Sequence, residues 1–406
     1  MKLYLPFMLL LLASGCIAMQ KTATENGFAV KNTALPIGNV KTEVKHPRIT
    51  LDNGLWKLSL VPDTMGGFDR FYNKKYPRGL FWGISYSKMV TGGLLEKNFT
   101  DGHMLIERFW QMQGINDSLQ PMKITDSGKN FVELQASPYG VSPISLKRRV
   151  TLPMGENCIE VQGTVTNLHT SNLKLRPWIN VLPREGKIVR LIPAKGNVVQ
   201  TSVGSTSRLA QDGIYSLSKE RNVFLAPARN FIAAALSPEN CTLVVLPGKN
   251  DLSRSIFYMY NGPIGFKKGS TIEYILADAS LKKGEQYSYS YRIAIFENMP
   301  QIRDMAGDIA VDAFVQGQKL TVKLAVYKPE KSQKIQVILS NKNGRSIKLQ
   351  EKMTGDLIPG KNLNLQFELP EKIDNEWNIS GQIGGNKFEL LKLFLDHNTD
   401  LGENFK

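Results

Sequence analysis

The strongest constraint on the fold is a short alternation of apolar and polar residues that recurs along most of the chain. Segments 54–62 (GLWKLSLVP) and 158–167 (CIEVQGTVTN) alternate with a period of two, and 287–297 (YSYSYRIAIFE) begins in the same manner. Successive side chains of a strand point to opposite faces, so this period predicts half-buried β-strands. Turn signals such as DSGKN, PMGEN and KKGEQ separate the runs. Many short strands at regular spacing predict an all-β fold built on a large antiparallel sandwich.

The strand-rich region divides into two parts of unequal size. A chain of 406 residues fits two domains better than one. We expect a large antiparallel β-sandwich over 47–304. A second set of short strands follows over 305–406, with the size of an immunoglobulin-like sandwich but without the cysteine pair of antibody domains.

The N-terminus has the features of an export signal. Residues 1–15 contain a lysine, an apolar stretch too short to span a bilayer, and small residues before Cys16. This arrangement resembles the lipobox of bacterial lipoproteins and implies lipidation of Cys16. The polar segment 16–46 reads as a tether. We therefore expect a lipid-anchored protein of the bacterial cell envelope, and Ile17 after the cysteine favours the outer membrane.

The net charge of +15 has two interpretations. It could keep an exported protein in solution, or it could indicate an acidic partner such as an anionic polysaccharide. The basic residues are dispersed, so nucleic acid is not an expected partner. No phosphate-binding loop, zinc-type spacing or calcium loop occurs in the sequence, and we expect neither a metal nor another cofactor.

Two cysteines follow Cys16, and they lie in similar contexts. Cys158 and Cys241 each come after a turn and begin an apolar strand. In an oxidising compartment the two could form a disulfide, or each could be a buried thiol. The sequence leaves both alternatives open.

Three segments together resemble the galactose mutarotase-like superfamily, over roughly residues 47–300. They are 51–75 (LDNGLWKLSLVPDTMGGFDRFYNKK), 146–183 (LKRRVTLPMGENCIEVQGTVTNLHTSNLKLRPWINVLP) and 272–296 (IEYILADASLKKGEQYSYSYRIAIF). The first is similar to the opening strands of that family, the second to its central strands and the third to its closing strands. The resemblance implies a supersandwich with a sugar cleft.

The same resemblance bears on catalysis. Active epimerases of this family use a histidine as general acid and a glutamate as general base on opposite sides of the sugar ring. The tract that would supply the histidine has Trp178 instead, and Glu273 lies only in the general region of the glutamate. Mutarotase activity by the usual residues is therefore not expected.

The densest cluster of polar and aromatic residues is 101–117 (DGHMLIERFWQMQGIND). In a strand, Arg108 and Trp110 would share one face, and Glu107 the other. Arginine and tryptophan are typical sugar-binding side chains, although a plain sandwich strand has the same pattern. If the protein is an enzyme, the candidate catalytic residues are His103, Glu107 and Glu273.

A second row of candidates lies in 174–184 (KLRPWINVLPR). Alternation places Arg176, Trp178 and Asn180 on one face of a strand. Such a row fits a concave carbohydrate-binding surface, and the alternative is a structural strand with a tryptophan at its edge. Tyr258 is a further candidate for the same cleft.

Together these features predict a cell-envelope lipoprotein that binds oligo- or polysaccharide without epimerase activity. One alternative is a polysaccharide-active enzyme, such as a uronate lyase or a glycosidase-associated protein. Another is a structural or assembly lipoprotein. Fold alone does not choose among them, because function depends on the site.

Overall fold

The chain forms antiparallel β-sheets throughout the part that can be described. The computed structural model describes residues 42–43, 48–62, 66–80, 85–91, 94–101, 105–109, 121–138, 143–181, 187–192, 199–201, 206–207, 221–225, 230–237, 240–249, 251–264, 267–341, 343–370 and 376–394. The all-β prediction is confirmed, since strands dominate these residues and a short 3₁₀ turn occurs at Leu252–Arg254. Within them no helix is long and apolar enough to cross a membrane.

The strands are numbered in chain order. The first sixteen are β1 (Thr42–Glu43), β2 (Ile49–Asp52), β3 (Lys57–Val61), β4 (Gly67–Tyr72), β5 (Ser85–Thr91), β6 (Leu94–Asp101), β7 (Leu105–Phe109), β8 (Lys123–Ser127), β9 (Phe131–Ala136), β10 (Ile144–Thr151), β11 (Cys158–Asn167), β12 (Leu173–Leu175), β13 (Pro177–Val181), β14 (Lys187–Ile192), β15 (Val199–Thr201) and β16 (Thr206–Ser207). The others are β17 (Arg221–Leu225), β18 (Ile232–Ser237), β19 (Cys241–Pro247), β20 (Ile256–Ile264), β21 (Lys267–Ile275), β22 (Ala279–Leu281), β23 (Gln286–Glu297), β24 (Asp304–Ala306), β25 (Ile309–Gln316), β26 (Lys319–Val326), β27 (Lys334–Asn341), β28 (Ser346–Lys348), β29 (Lys352–Met353), β30 (Leu363–Glu368), β31 (Glu376–Ile383) and β32 (Asn386–Phe394).

Two large sheets dominate the first three quarters of the chain. The eight-stranded sheet has the order β14-β18-β19-β23-β11-β10-β9-β8, and the seven-stranded sheet has the order β16-β15-β17-β20-β21-β13-β7. Smaller sheets are β1-β5-β6, β2-β3-β4 and the pair β12-β22. Four of the seven neighbouring pairs in the eight-stranded sheet, and two of the six in the seven-stranded sheet, are consecutive in sequence, and the remaining pairs depend on long-range pairing.

The main hydrophobic core joins the two large sheets and β2-β3-β4. Ile179 and Tyr274 of the seven-stranded sheet are fully buried in the same cluster as Val161 and Ile293 of the eight-stranded sheet. Leu58 adds the β2-β3-β4 sheet to the cluster. The inner faces of three sheets therefore share a single core.

Trp56 anchors one end of this core. Its ring stacks on Phe71, with centroids 4.5 Å apart, and on Tyr76, with centroids 5.7 Å apart. Its Nε1 donates a hydrogen bond to Asn157 Oδ1 over 2.9 Å. Because Trp56 is 1% exposed, the hydrogen bond is shielded from water and satisfies a polar atom that burial would otherwise penalise.

The C-terminal strands form two further sheets with a core of their own. One has the order β24-β25-β26-β30, and the other has the order β28-β27-β31-β32 with β29 paired to β27. Val322, Val337 and Trp377 are among the side chains buried between them. These sheets are the second set of strands expected from the sequence.

The C-terminal sheets pack on the face of the eight-stranded sheet that points away from the main core. A third hydrophobic cluster combines Val244 and Phe296 of that sheet with Ala310, Ala325 and Tyr327 of the C-terminal part. The backbone N–H of Asn157 also donates to the Tyr327 carbonyl over 2.6 Å. The eight-stranded sheet is therefore covered by apolar side chains on both faces in this region.

Cys158 and Cys241 are both buried and form no disulfide, so the disulfide alternative is wrong for this structure. The two residues lie on β11 and β19, and β23 runs between those strands. Cys241 faces the main core, whereas Cys158 faces the C-terminal sheets. Residues on opposite faces of a sheet, with a strand between them, cannot be bridged without moving the backbone.

This arrangement predicts how the thiols react. Neither Cys158 nor Cys241 should react with an aromatic disulfide reagent in the native protein, because both are fully buried and burial raises the pKa of the Cys158 thiol. Both should react once the protein is unfolded in denaturant without a reductant. Failure of both to react after unfolding would instead indicate a disulfide.

Candidate functional site

The seven-stranded sheet has one face in the core and one face pointing away from it. On β13, Ile179 and Val181 are fully buried in the main core. Trp178, which directly precedes Ile179, is half-buried. Alternation along a strand therefore places Trp178 on the outer face, as the sequence predicted. We use "outer face" below for this side of the seven-stranded sheet.

Strand register brings candidate residues into two neighbouring rows on the outer face. In the first row, Trp178 pairs with Arg108 on β7 and with Ile275 on β21. In the second row, Asn180 pairs with Glu273, and Glu273 pairs with Tyr258 on β20. Residues directly opposite on neighbouring strands are about 5 Å apart. The register therefore brings five candidate positions on four adjacent strands close together in the sheet.

On the outer face, the side chains of β21 are the least exposed to solvent. Glu273 is 3% exposed and Ile275 is 1% exposed, whereas Trp178 on β13 and Ile256 on β20 are half-buried. Ile256 pairs with Ile275, so a buried central strand lies between two more accessible ones. From this burial profile we infer a shallow trough along β21, with Glu273 and Ile275 in its floor.

One end of the trough carries a cluster of charged residues around Asp278. Lys174 Nζ lies 3.1 Å from Asp278 Oδ2, and Arg176 lies 3.6 Å from Oδ1. Arg254 also pairs with the Asp278 carboxylate and donates to its backbone carbonyl over 3.0 Å. Three cations around a single carboxylate leave an excess of two positive charges beside Trp178.

The cations around Asp278 determine its ionisation. Burial of the carboxyl acts to raise its pKa, but hydrogen bonds from Lys174 and Arg254 outweigh burial and lower the pKa to about 2. Asp278 therefore remains a carboxylate at neutral pH. The negative charge of Asp278 consequently does not depend on pH in the physiological range.

The remaining predicted residues fall elsewhere. Glu107 pairs with Ile179, at a register position between the Trp178 row and the Asn180 row. It therefore does not share a row with Glu273. His103 and Trp110 lie outside the described residues, as does Cys16. In the described part of the chain, no three histidine, cysteine or acidic residues are grouped as metal ligands.

Sequence reasoning did not identify Lys174 and Asp278 as part of the site. The cluster comes from three segments, because Lys174 and Arg176 lie more than seventy residues before Arg254, and Arg254 lies 24 residues before Asp278. Arginine and lysine on strand edges are common, and no local pattern shows that they share one carboxylate. The one local signal was the alternation that grouped Arg176 with Trp178.

Comparison with known proteins concerns the fold. No protein-family model and no curated protein matches the chain. Solved structures that resemble it include a candidate aldose 1-epimerase from Escherichia coli K12, 13% identical, with 62% of this chain and 99% of the other covered and a TM-score of 0.47. A galactose mutarotase-like protein from Lactobacillus casei is 12% identical, with 61% and 100% covered and a TM-score of 0.44.

A galactose mutarotase related enzyme from Lactobacillus acidophilus is 10% identical, with 63% of this chain and 99% of that chain covered and a TM-score of 0.43. The family named from the sequence motifs is thus found among the structural neighbours. At these identities the likeness concerns fold alone. The function must be argued from the residues of this chain.

Proposed function

We propose that the chain binds acidic carbohydrate in the trough of the outer face. The proposal is supported mainly by the position of Trp178 next to the Asp278 cluster, where the excess is two positive charges. A tryptophan ring offers a flat apolar surface to the C–H face of a sugar. Arginine binds carboxylate and sulfate groups through paired N–H donors.

Trp178 and the arginines of the Asp278 cluster would bind different parts of the sugar. Trp178 would contact the sugar ring, while Arg176 and Arg254 would bind the acidic group. The guanidinium of Arg176 is partly exposed, with 27% of its side chain accessible, and Arg254 is more accessible at 51%. Asp278 would hold both guanidinium groups in place before the ligand arrives, which reduces the entropy lost on binding.

The second row adds groups that suit sugar hydroxyls. Asn180 and Tyr258 flank Glu273 in the register of β13, β21 and β20. Amide and phenol groups can both donate hydrogen bonds to hydroxyls and accept them, whereas a carboxylate accepts them. The features of residues 1–16 further support a proposal that the chain is a lipid-anchored protein of the cell envelope, where such glycans are encountered.

A paired charge variant tests the acidic specificity. Replacing Arg176 and Arg254 together by glutamine should reduce the affinity of the full-length chain for polygalacturonate or chondroitin sulfate by roughly tenfold, as each partly exposed ion pair contributes up to about 1 kcal/mol. The affinity of the wild type should fall as salt is raised, because mobile ions screen exposed charges. The variant should retain neutral dextran as strongly as the wild type does. Binding would be measured by affinity electrophoresis and calorimetry.

The matched control removes the same charge elsewhere. Arg345 and Lys348 lie in and beside β28 of the C-terminal part, and their replacement by glutamine should leave retention unchanged. Equal losses in both double variants would mean that only net charge matters, which would contradict a specific site. Absorbance from unsaturated uronate that grows during incubation would argue for a lyase instead of a binding protein.

A further inference from the structure

A pocket of 440 Å³ lies between the eight-stranded sheet and the C-terminal sheets. It opens on the opposite side of the eight-stranded sheet from the main core, and its wall contains residues of both parts of the chain. β11 and β23 provide its floor, and the segment from Asp304 to Asp308 provides the facing wall. The volume lies in the range of about 300–1,000 Å³ that is typical of small-molecule sites.

The floor of the pocket offers unused hydrogen-bonding groups. Gln162 and Ser290 are cross-strand partners on β11 and β23, and both are exposed. Among the described residues, neither side chain has a hydrogen-bond partner. Gly248 borders Ser290 so closely that a Cβ at position 248 would lie 2.2 Å from Ser290 Oγ. The absence of a side chain at Gly248 therefore leaves the hydroxyl accessible.

The same pocket has an apolar side. Phe231, Leu246 and Met305 line it, and the first of these is buried in the cluster that joins the two parts of the chain. An apolar wall facing a polar floor suits a molecule whose own faces differ in this way. Sugars have this property, because C–H groups project from the ring faces and hydroxyls from its edge.

The charges around the pocket are unlike those of the outer face. The wall contains the carboxylates of Glu160, Asp304 and Asp308 against the single guanidinium of Arg292. Arg292 is held by Glu160, and its NH1 donates to Tyr327 Oη over 3.4 Å. Tyr327 in turn donates to Asp308. Lys328 also pairs with Asp308, so three carboxylates are set against two cations. The remaining negative charge opposes the binding of an anionic group at this position.

We propose that this junction pocket is a second binding site, specific for a non-acidic sugar unit that carries hydroxyl or amine groups. Gln162 and Ser290 would bind hydroxyls, and the carboxylates would accept hydrogen bonds from hydroxyl or ammonium groups. The proposal goes beyond the acidic-carbohydrate site, from which the pocket differs in location and charge. Bound ligand would contact both parts of the chain and would stabilise their contact.

The test uses the full-length chain with glucose, glucosamine and glucuronate as probes. Each is added at about 10 mM, enough to occupy most of a site with a Kd near 1 mM. Ligand-observed NMR and calorimetry should detect glucose and glucosamine, with glucuronate at least about tenfold weaker. No binding of glucose and glucosamine, or equal binding of glucuronate, would overturn the proposal.

Variants then locate the binding. Ser290→Phe fills the pocket and should weaken glucosamine binding by about tenfold or more. Ser288→Phe is the matched control, because Ser288 is exposed on the same face of β23 but does not line the pocket. Gln162→Ala provides a milder second variant and should also weaken binding. Unchanged binding in both Ser290→Phe and Gln162→Ala would overturn the assignment.

The two proposed sites fail independently. Ser290→Phe should leave retention of acidic polysaccharide unchanged, which also shows that the variant is folded. Trp178→Ala should leave glucosamine binding unchanged. Loss of both polysaccharide and glucosamine binding in one variant would indicate unfolding. The effect of Gln162→Ala on glucosamine binding would then decide whether the sugar binds in the junction pocket.

Discussion

Replacing Trp56 by alanine is expected to lower the free energy of unfolding by about 3–5 kcal/mol, the largest effect of any single substitution considered for this chain. Trp56 loses its stacking contacts with Phe71 and Tyr76, and a cavity remains in the core. The change also leaves Asn157 Oδ1 without the hydrogen bond from Trp56. Urea denaturation should show a lower midpoint with an unchanged slope.

Two other substitutions separate packing from hydrogen bonding. Trp56→Phe retains an aromatic ring but not the N–H donor, and it should cost about 1–3 kcal/mol. Leu55→Ala alters an exposed neighbour and should change stability by less than about 0.5 kcal/mol. If Trp56→Ala cost no more than Leu55→Ala, Trp56 would not be an anchor of the core.

Trp178→Ala is expected to weaken binding of acidic polysaccharide by roughly thirtyfold, or about 2 kcal/mol, the range of an aromatic hot spot. Trp178 lies in the register row between Arg108 and Ile275, next to the Asp278 cluster. Loss of the ring removes the surface on which a sugar would stack. Calorimetry with polygalacturonate measures the effect at fixed salt.

The aromatic face can be tested apart from the size of the side chain. Trp178→Phe keeps a flat ring and should retain most of the affinity, within about fivefold of the wild type. The denaturation midpoint of each variant shows whether it is folded. Full affinity in a folded Trp178→Ala protein would mean that this half-buried ring has only a structural role.

The sequence predicted strands well where alternation and burial agree. The segment 158–167 was predicted as one strand, and β11 has the bounds Cys158–Asn167. The prediction that Ile179 and Val181 share a face opposite Trp178 matches their burial. These are local properties, since the main core selects one side of each strand and leaves the other to polar residues.

Features that depend on distant pairing could not be predicted in this way. β23 carries SYSYRIAIFE, where the pattern changes from alternating to continuously apolar, and the sequence does not show what would cover the second apolar face. The structure shows that Ala294 and Phe296 pack against the C-terminal part. The grouping of Lys174 with Asp278 and the separation of Cys158 from Cys241 likewise depend on which strands are neighbours.

The apolar outer side of β11, β19 and β23 has a practical consequence for dissecting the protein. Cys158, Val244 and Ala294 are wholly buried only because the C-terminal sheets lie over them. A fragment that ended near residue 300 would present this patch to water and would tend to associate with other copies of itself. The two parts are therefore best studied as one indivisible unit, even though each encloses a core of its own.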